Sequence, residues 1–265
     1  MTTVSAGSEE WAGRRVLVVG ASSGIGRAFA EQAARSGARV LAVARRADRL
    51  DELVAANPTV EALVADMTEV ADCTGLADQV ARRTGTVDLV LYAAGWATLR
   101  RLADMSPADW ERILTTNVVG FNHLLAALVP TGLAPDAVVA ALSSEVVGRP
   151  RHGLAGYGVS KAALEESIGA WRLEQPALRF CRVRVGATQP TDFGANFDGD
   201  VLGPVLDDWV RNGLLPTTFM DTDELAVVLA RVLGSMVAFP GITVEDLLLR
   251  PSAPALTDVA GLGSP

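Results

Sequence analysis

Short apolar runs closed by glycine or another small residue alternate along this chain with longer stretches in which apolar residues recur every three or four positions. Arg14 to Gly20 (RRVLVVG) reads as a strand, Gly24 to Ser36 as an amphipathic helix and Ala38 to Ala44 (ARVLAVA) as a second strand. The alternation continues with a helix over Asp48 to Ala56, a strand over Val60 to Ala65, a helix over Glu69 to Arg83 and a strand over Val87 to Ala94. Ser106 is placed to cap a helix with Pro107 in its first turn, running through Trp110, Ile113, Asn117 and Leu124 toward Pro130. A strand over Ala137 to Leu142, a helix carrying Tyr157 and Lys161 that ends near Pro176, and a strand over Phe180 to Val185 come next. A helix over Glu224 to Leu233 and a seventh strand over Thr243 to Leu249 complete the pattern. Strands this apolar on both faces suit a parallel sheet covered by helices, and the βα order predicts a doubly wound α/β fold with right-handed crossovers.

The alternation lapses between Gln189 and Met220, with one short helix expected near Val205 to Val210, and a stretch of that kind inside a compact unit reads as a substrate loop. Residues 1–12 read as an N-terminal extension and 252–265 as a loose tail, the whole chain forming a single domain without repeats. Composition narrows the partners. Lys plus Arg total 23 against 31 Asp plus Glu, and a net charge of −8 works against nucleic acid and anionic membranes. No apolar run approaches the roughly 20 residues that cross a bilayer. Cys73 and Cys181 stand far apart without ligand-spaced neighbours, so neither a disulfide framework nor a metal site is expected, and the polar, acidic start carries no export pattern. A cytoplasmic protein is the expectation.

The first strand runs into Gly20-Ala21-Ser22-Ser23-Gly24-Ile25-Gly26, three glycines across a strand-to-helix turn. Glycine lets backbone approach a pyrophosphate closely, and the free amides and dipole of the following helix attract the phosphates. A plain tight turn is the competing reading. The second strand ends at Ala44, 18 residues past Gly26, where an NAD-binding fold places an acid for the ribose 2′-hydroxyl. Here a small neutral residue is followed by Arg45 and Arg46, which favours the 2′-phosphate of NADP(H), unless the two guanidiniums are only a solvated patch.

Tyr157 and Lys161 stand at i and i+4 and share a helix face, and Ser144 lies 13 residues earlier, just after the fifth strand, where a parallel sheet opens on its ligand crevice. A tyrosine of pKa about 10 needs a cation beside it to work near neutrality, which the ammonium supplies, and the serine hydroxyl can hold a substrate oxygen.

With these motifs on one chain, the sequence from about Arg14 to Pro251 resembles the short-chain dehydrogenases/reductases, whose fold is of Rossmann type. Gly20, Gly24 and Gly26 match the glycine turn, Asp66 followed by Met67 the acid that meets the adenine, Asn117 the helix asparagine, and Ser144, Tyr157 and Lys161 the serine and the Tyr-x-x-x-Lys pair. Pro190 matches the Pro-Gly turn after the sixth strand. The resemblance implies that Tyr157 is the general acid/base while hydride moves to or from the nicotinamide. It implies that Lys161 binds the nicotinamide ribose and lowers the tyrosine pKa, that Ser144 holds the carbonyl oxygen, and that Asn117 fixes a relay water. Cofactor contacts are expected from the glycine turn with Ser22, Ser23 and Ile25, from Arg45, Arg46, Asp66 and Met67, from the wall Ala93-Ala94-Gly95, and from Tyr157, Lys161, Pro190 and Phe193.

Three departures from the family pattern stand out: Tyr92-Ala93 replaces a common Asn-Asn, Val19 a threonine and Thr191 a glycine. The reading is an NADP(H)-dependent alcohol dehydrogenase or carbonyl reductase acting on a small molecule without metal, with a non-catalytic NADP-binding sensor or partner protein as its rival. His152 is a candidate substrate contact or a solvated loop residue, Trp96 a substrate wall or a packed ring, Phe193 and Phe197 an aromatic cover or lid packing, and His123 an interface or surface residue. Leu124, Leu125 and Leu128 on one helix and Ala163, Leu164 and Ile168 on the other suggest faces buried against another subunit, giving a homodimer or homotetramer.

Overall fold

The computed structural model describes residues 10–255. Seven parallel strands form one sheet in the order β3-β2-β1-β4-β5-β6-β9: β1 (Arg15–Val19), β2 (Arg39–Ala44), β3 (Val60–Val64), β4 (Val87–Tyr92), β5 (Leu133–Ser144), β6 (Arg179–Val185) and β9 (Asp246–Leu249). The order reverses between β1 and β4, the switch at which a doubly wound sheet opens a crevice beyond its carboxyl ends. The register pairs Val19 with Tyr92 and with Val43, so the glycine turn and the Ala93-Ala94 wall leave the sheet side by side.

Two apolar layers hold the sheet. On one face α1 (Gly24–Arg35) and α8 (Thr222–Ala238) pack on alternate strand residues such as Val16, Val18, Leu89 and Leu91 through Phe29, Leu229 and Leu233. On the other, α3 (Val70–Thr84), α5 (Gly120–Leu128) and α6 (Ala155–Glu174) cover Leu17, Val43, Val90 and Tyr92 through Leu76, Phe121 and Leu164. The two cysteines are free and divide between the layers, Cys181 in the first and Cys73 in the second. Burial pushes their thiols up, Cys73 to about 11 and Cys181 to about 12.

Several expectations shift. The long helix through Asn117 is α4 (Pro107–Leu114), a π-helical turn over Thr115–Val119 and then α5, while α4 starts at the expected Ser106 cap, whose hydroxyl accepts from Asp109 N. Strand β5 begins earlier than Ala137 and includes Ser144 as its last residue, and β9 is confined to Asp246–Leu249. The irregular stretch is more ordered than its sequence suggests: α7 (Gly199–Arg211) runs 13 residues, and β7 (Thr188–Gln189) pairs with β8 (Met220–Asp221). Helix α2 (Ala47–Ala56) follows β2.

Of the N-terminal extension, residues 1–9 lie outside the described residues, and Trp11 is buried, its indole N–H donating to Ala230 O at 3.1 Å. Of the tail, residues 256–265 lie outside the described residues, while Thr217 N donates to Pro254 O at 2.9 Å and Ala255 bridges to Pro216. The argument for subunit contact from the helix leucines fails. Leu124, Leu125, Leu128, Leu164 and Ile168 are buried in this chain's own second layer, so they are not free to face another copy.

Candidate active site

The glycine turn is shaped first by the protein itself. Gly20 has φ of +89°, and a Cβ there would lie 2.6 Å from Ala94 N; one at Gly26 would lie 2.3 Å from Gly20 O. Gly24 has φ of +52°, and a Cβ there would lie 3.5 Å from Thr191 Cβ. The turn is thus a three-way junction of β1, α1 and the end of β4, which forbids side chains whatever binds above it. Ser23, the N-cap of α1, makes no side-chain bond to the helix amides, so the first-turn N–H groups keep their capacity for an anion. Ile25 turns back into the first apolar layer. A nucleotide pyrophosphate fits this donor set.

Beyond β2, the two arginines part. Arg45 lies 3.5 Å from Asp66 Oδ2 and is largely exposed. Arg46 instead reaches over the glycine turn, bonding Ser22 Oγ at 2.9 Å, Ser23 Oγ at 2.8 Å and Asp192 Oδ2 at 3.0 Å. Asp66 accepts from the amide and hydroxyl of Thr68 at 3.0 and 2.9 Å; partial burial opposes its ionisation, yet these bonds and Arg45 hold it below the usual carboxylate range. Met67 is buried behind it, its carbonyl 2.7 Å from where a Cβ at Gly120 would lie.

Tyr157, Lys161, Ser144 and Asn117 are all buried at the carboxyl end of β4 and β5. Lys161 Nζ donates to Leu142 O at 2.8 Å and sits 5.7 Å from the centre of the Tyr157 ring. Burial pushes its pKa down to about 8, with the Glu165 carboxylate opposing. Burial pushes the Tyr157 phenol up, and the hydroxyl that opposes the rise is that of Ser144. The Lys161 ammonium gives one of its three N–H groups to the Leu142 carbonyl, and for the tyrosine burial outweighs the serine. Gly95 forms the exposed floor beside this group, and a Cβ there would lie 3.5 Å from both Asn117 Oδ1 and Lys161 Nζ.

Asn117 sits in the π-helical turn with its amide bonded on both sides. Its Oδ1 accepts from Trp96 N at 2.7 Å, and its Nδ2 donates to Trp96 O at 2.9 Å and Ser160 Oγ at 2.8 Å. The side chain therefore clamps the segment after β4 to α6. The Tyr92 hydroxyl donates to Thr116 O at 2.9 Å inside the π turn, and its ring meets Phe121 edge-on.

The remaining residues border the crevice. Phe193 packs edge-on against Tyr157 at 5.1 Å and against Phe197 at 5.2 Å. Pro190 is tied to the start of α8, where Thr222 Oγ1 donates to its carbonyl at 2.8 Å. Trp96 stacks under the Arg112 guanidinium at 4.6 Å, and His152 is an exposed loop residue whose carbonyl accepts from Trp209. His123 is half-buried on α5. Among the described residues no cluster of His, Cys, Asp and Glu could hold a metal ion, and no helix is long and apolar enough to cross a membrane.

Two groups beside the site escaped the sequence reading. Glu165, one turn beyond Lys161, is buried and accepts from Ser143 Oγ at 2.6 Å and from Arg184; Glu145, directly after Ser144, is buried between Arg151 and Arg250. A carboxylate eight residues after Tyr157 on the same helix face was a legible signal for the first. The second needed the sheet to bring Arg250 to it.

The sequence matches the short chain dehydrogenase family over residues 14–201. The chain belongs to that family. An uncharacterized oxidoreductase of Mycobacterium tuberculosis is 33% identical over 244 residues, covering 90% of this chain and 91% of its own length. Glycine betaine reductase ATRR of Emericella nidulans is 34% identical over 197 residues, 72% of this chain; the chain spans only 16% of that larger protein. A short chain dehydrogenase from Burkholderia cenocepacia in complex with NADP superimposes with a TM-score of 0.77 at 25% identity, over 91% of this chain and 98% of that one. This short-chain dehydrogenase is accordingly an oxidoreductase with the Rossmann-type fold, of a family that uses nicotinamide cofactors.

Proposed function

We propose that the protein is an NADP(H)-dependent alcohol dehydrogenase or carbonyl reductase with Tyr157 as general acid/base. The observation that carries this reading is the meeting of Tyr157, Ser144 and Lys161 at the carboxyl end of the sheet, beside an open glycine floor at Gly95. When bound, a nicotinamide supplies or accepts the hydride; the residues handle the oxygen. In the reducing direction, Tyr157 and Ser144 both donate to the carbonyl oxygen as charge grows on it, and the Tyr157 proton is the one transferred. Because burial favours the phenol, Tyr157 is loaded for reduction at neutral pH, whereas oxidation requires its deprotonated form and therefore a more alkaline medium. Lys161 is protonated below about pH 8 and places a positive charge beside the phenolate left after transfer. Asn117 holds Trp96 and Ser160 through its side chain and, by family resemblance, fixes a relay water beside Lys161.

The absence of an acid at Ala44 and the arginines after it support NADP(H) over NAD(H). The sensor alternative leans on the lost Asn-Asn pair, whereas the Tyr92 bond to Thr116 gives that segment another anchor and supports the enzyme reading. A homodimer or homotetramer in the cytoplasm belongs to the same reading by family resemblance, with exposed Val119 and Val159 available to an interface where the buried leucines are not. The decisive experiment is Tyr157→Phe, which keeps the ring and removes the proton. Turnover of a ketone panel falls about 100-fold or more while NADPH titrates as before; near-normal turnover rejects the assignment.

A further inference from the structure

Arg46 and Asp192 form an ion pair that joins two parts of the site far apart in sequence. One guanidinium nitrogen of Arg46 bonds both serines of the glycine turn, and the other lies 3.0 Å from Asp192 Oδ2. Asp192 opens the turn Asp192–Gly194 just after Pro190, and the next residue is Phe193, whose ring lies edge-on over Tyr157 at 5.1 Å. Asp192, through Arg46 and the Ser23 hydroxyl, therefore fastens the cover over the acid/base tyrosine to the phosphate turn. The Ser23 hydroxyl and then Arg46 hold the Asp192 carboxyl below the usual range, so it is a full anion at neutral pH. Both side chains are about half exposed, at 46% and 55%, which leaves the pair open to a ligand and weak enough to be displaced. Among the described residues Arg45 has no such link and reaches only Asp66.

We propose that Asp192 is an internal anion that competes with the cofactor's 2′-phosphate for Arg46, so that a 2′-phosphorylated nucleotide unlatches the Phe193 segment and an unphosphorylated one leaves it fastened. The inference rests on the NADP(H) reading and sharpens it by moving the discriminating contact from Arg45 to Arg46. A phosphate offers three acceptor oxygens and close to two negative charges, where the carboxylate offers two oxygens and one charge. Both anions cannot share one guanidinium edge without repulsion, so the stronger one displaces the other.

The test uses fragments that lack the nicotinamide and so never turn over: adenosine 2′,5′-bisphosphate and 5′-AMP, titrated calorimetrically into the unaltered protein, Asp192→Asn, Arg46→Leu and the double variant. Asp192→Asn is expected to tighten the bisphosphate about five- to tenfold and to move 5′-AMP by less than about twofold. In the Arg46→Leu background the Asp192→Asn effect disappears, because the shared partner is gone. Chymotrypsin supplies a second readout through Phe193 and Phe197. Cleavage there accelerates with bisphosphate but not with 5′-AMP, and is fast in Asp192→Asn without ligand. If the unaltered protein prefers the bisphosphate and Asp192→Asn leaves that preference unchanged or weakens it, the latch is wrong and the NADP(H) reading stands. Bisphosphate-induced protection at Phe193 and Phe197 also overturns the latch. If the unaltered protein binds both fragments equally, the cofactor reading fails and the latch falls with it.

Discussion

Tyr157 and Lys161 are one turn apart on α6 and yet belong to differently built parts of the molecule. Lys161 is bonded to the end of β5, inside a frame of strand ladders and fully buried aliphatic layers. The Tyr157 ring lies in a third apolar cluster, with Leu99, Leu154, Val205 and Trp209, whose outer members Trp96, Trp110, Phe197 and Phe219 are only partly buried. The sheet side is held by consecutive backbone pairs and closely opposed glycines; the crevice side is held by half-covered aromatic rings and by a helix, α7, with Pro204 in it. Local opening costs least where burial is incomplete. Lys161 thus stands on the strand frame, while the Tyr157 ring lies under partly covered aromatic rings.

The sharpest way to break this contrast is at the junction of β1 and α1. Gly26→Ala drives a methyl to 2.3 Å from the Gly20 carbonyl, backbone against backbone, which no rotamer relieves. The expected result is a loss of roughly 3 kcal/mol or more in chemical denaturation together with loss of NADPH binding. On the other side, Trp209→Ala removes a ring buried against Arg151 and the His152 carbonyl. Its expected cost is about 3 kcal/mol, taken from local opening of the segment around α7. Hydrogen exchange then accelerates there with the strands protected, and KM rises while NADPH affinity holds. Uniform acceleration across the sheet would erase the distinction between the two regions.

Lys161 gives a pH test. Its folded pKa, about 8, lies below the unfolded value, so between pH 8 and about 10.5 the unfolded chain binds more protons and the folded state gains stability as pH rises. Denaturation of the unaltered protein against Lys161→Met should show that rising component, up to a few kcal/mol, in the former alone. The smallest expected effect is Tyr92→Phe, which deletes one bond to Thr116 O in the π turn and costs about 1 kcal/mol with turnover reduced less than about tenfold. A loss as large as that of Tyr157→Phe would instead make Tyr92 part of the chemistry.

The frame was legible because its periodicities are strong: RRVLVVG and ARVLAVA, short and bounded by small residues, suit strands buried on both faces, and the Tyr157–Lys161 spacing puts two polar side chains on one helix face. What the sequence left hidden depends on distant partners. Nothing local marks the break of the Pro107–Leu128 helix at a π turn, in which Asn117 bonds Trp96 and Ser160. Arg45 and Arg46 are adjacent and chemically alike, and only the fold sends one to Asp66 and the other to the serines. The leucines of α5 and α6 looked like an interface because helical periodicity records which face is buried and not what buries it.

The partition of the two cysteines has a use of its own. Cys73 sits on the buried face of α3 in one layer and Cys181 on β6 in the layer covered by α1 and α8, and both thiols are held far from the thiolate form that reacts with alkylating reagents. Each is silent for as long as its layer stays closed. The protein thereby carries two native clocks, one on each side of its sheet, and the order in which they start under mild denaturant records which layer lets go first.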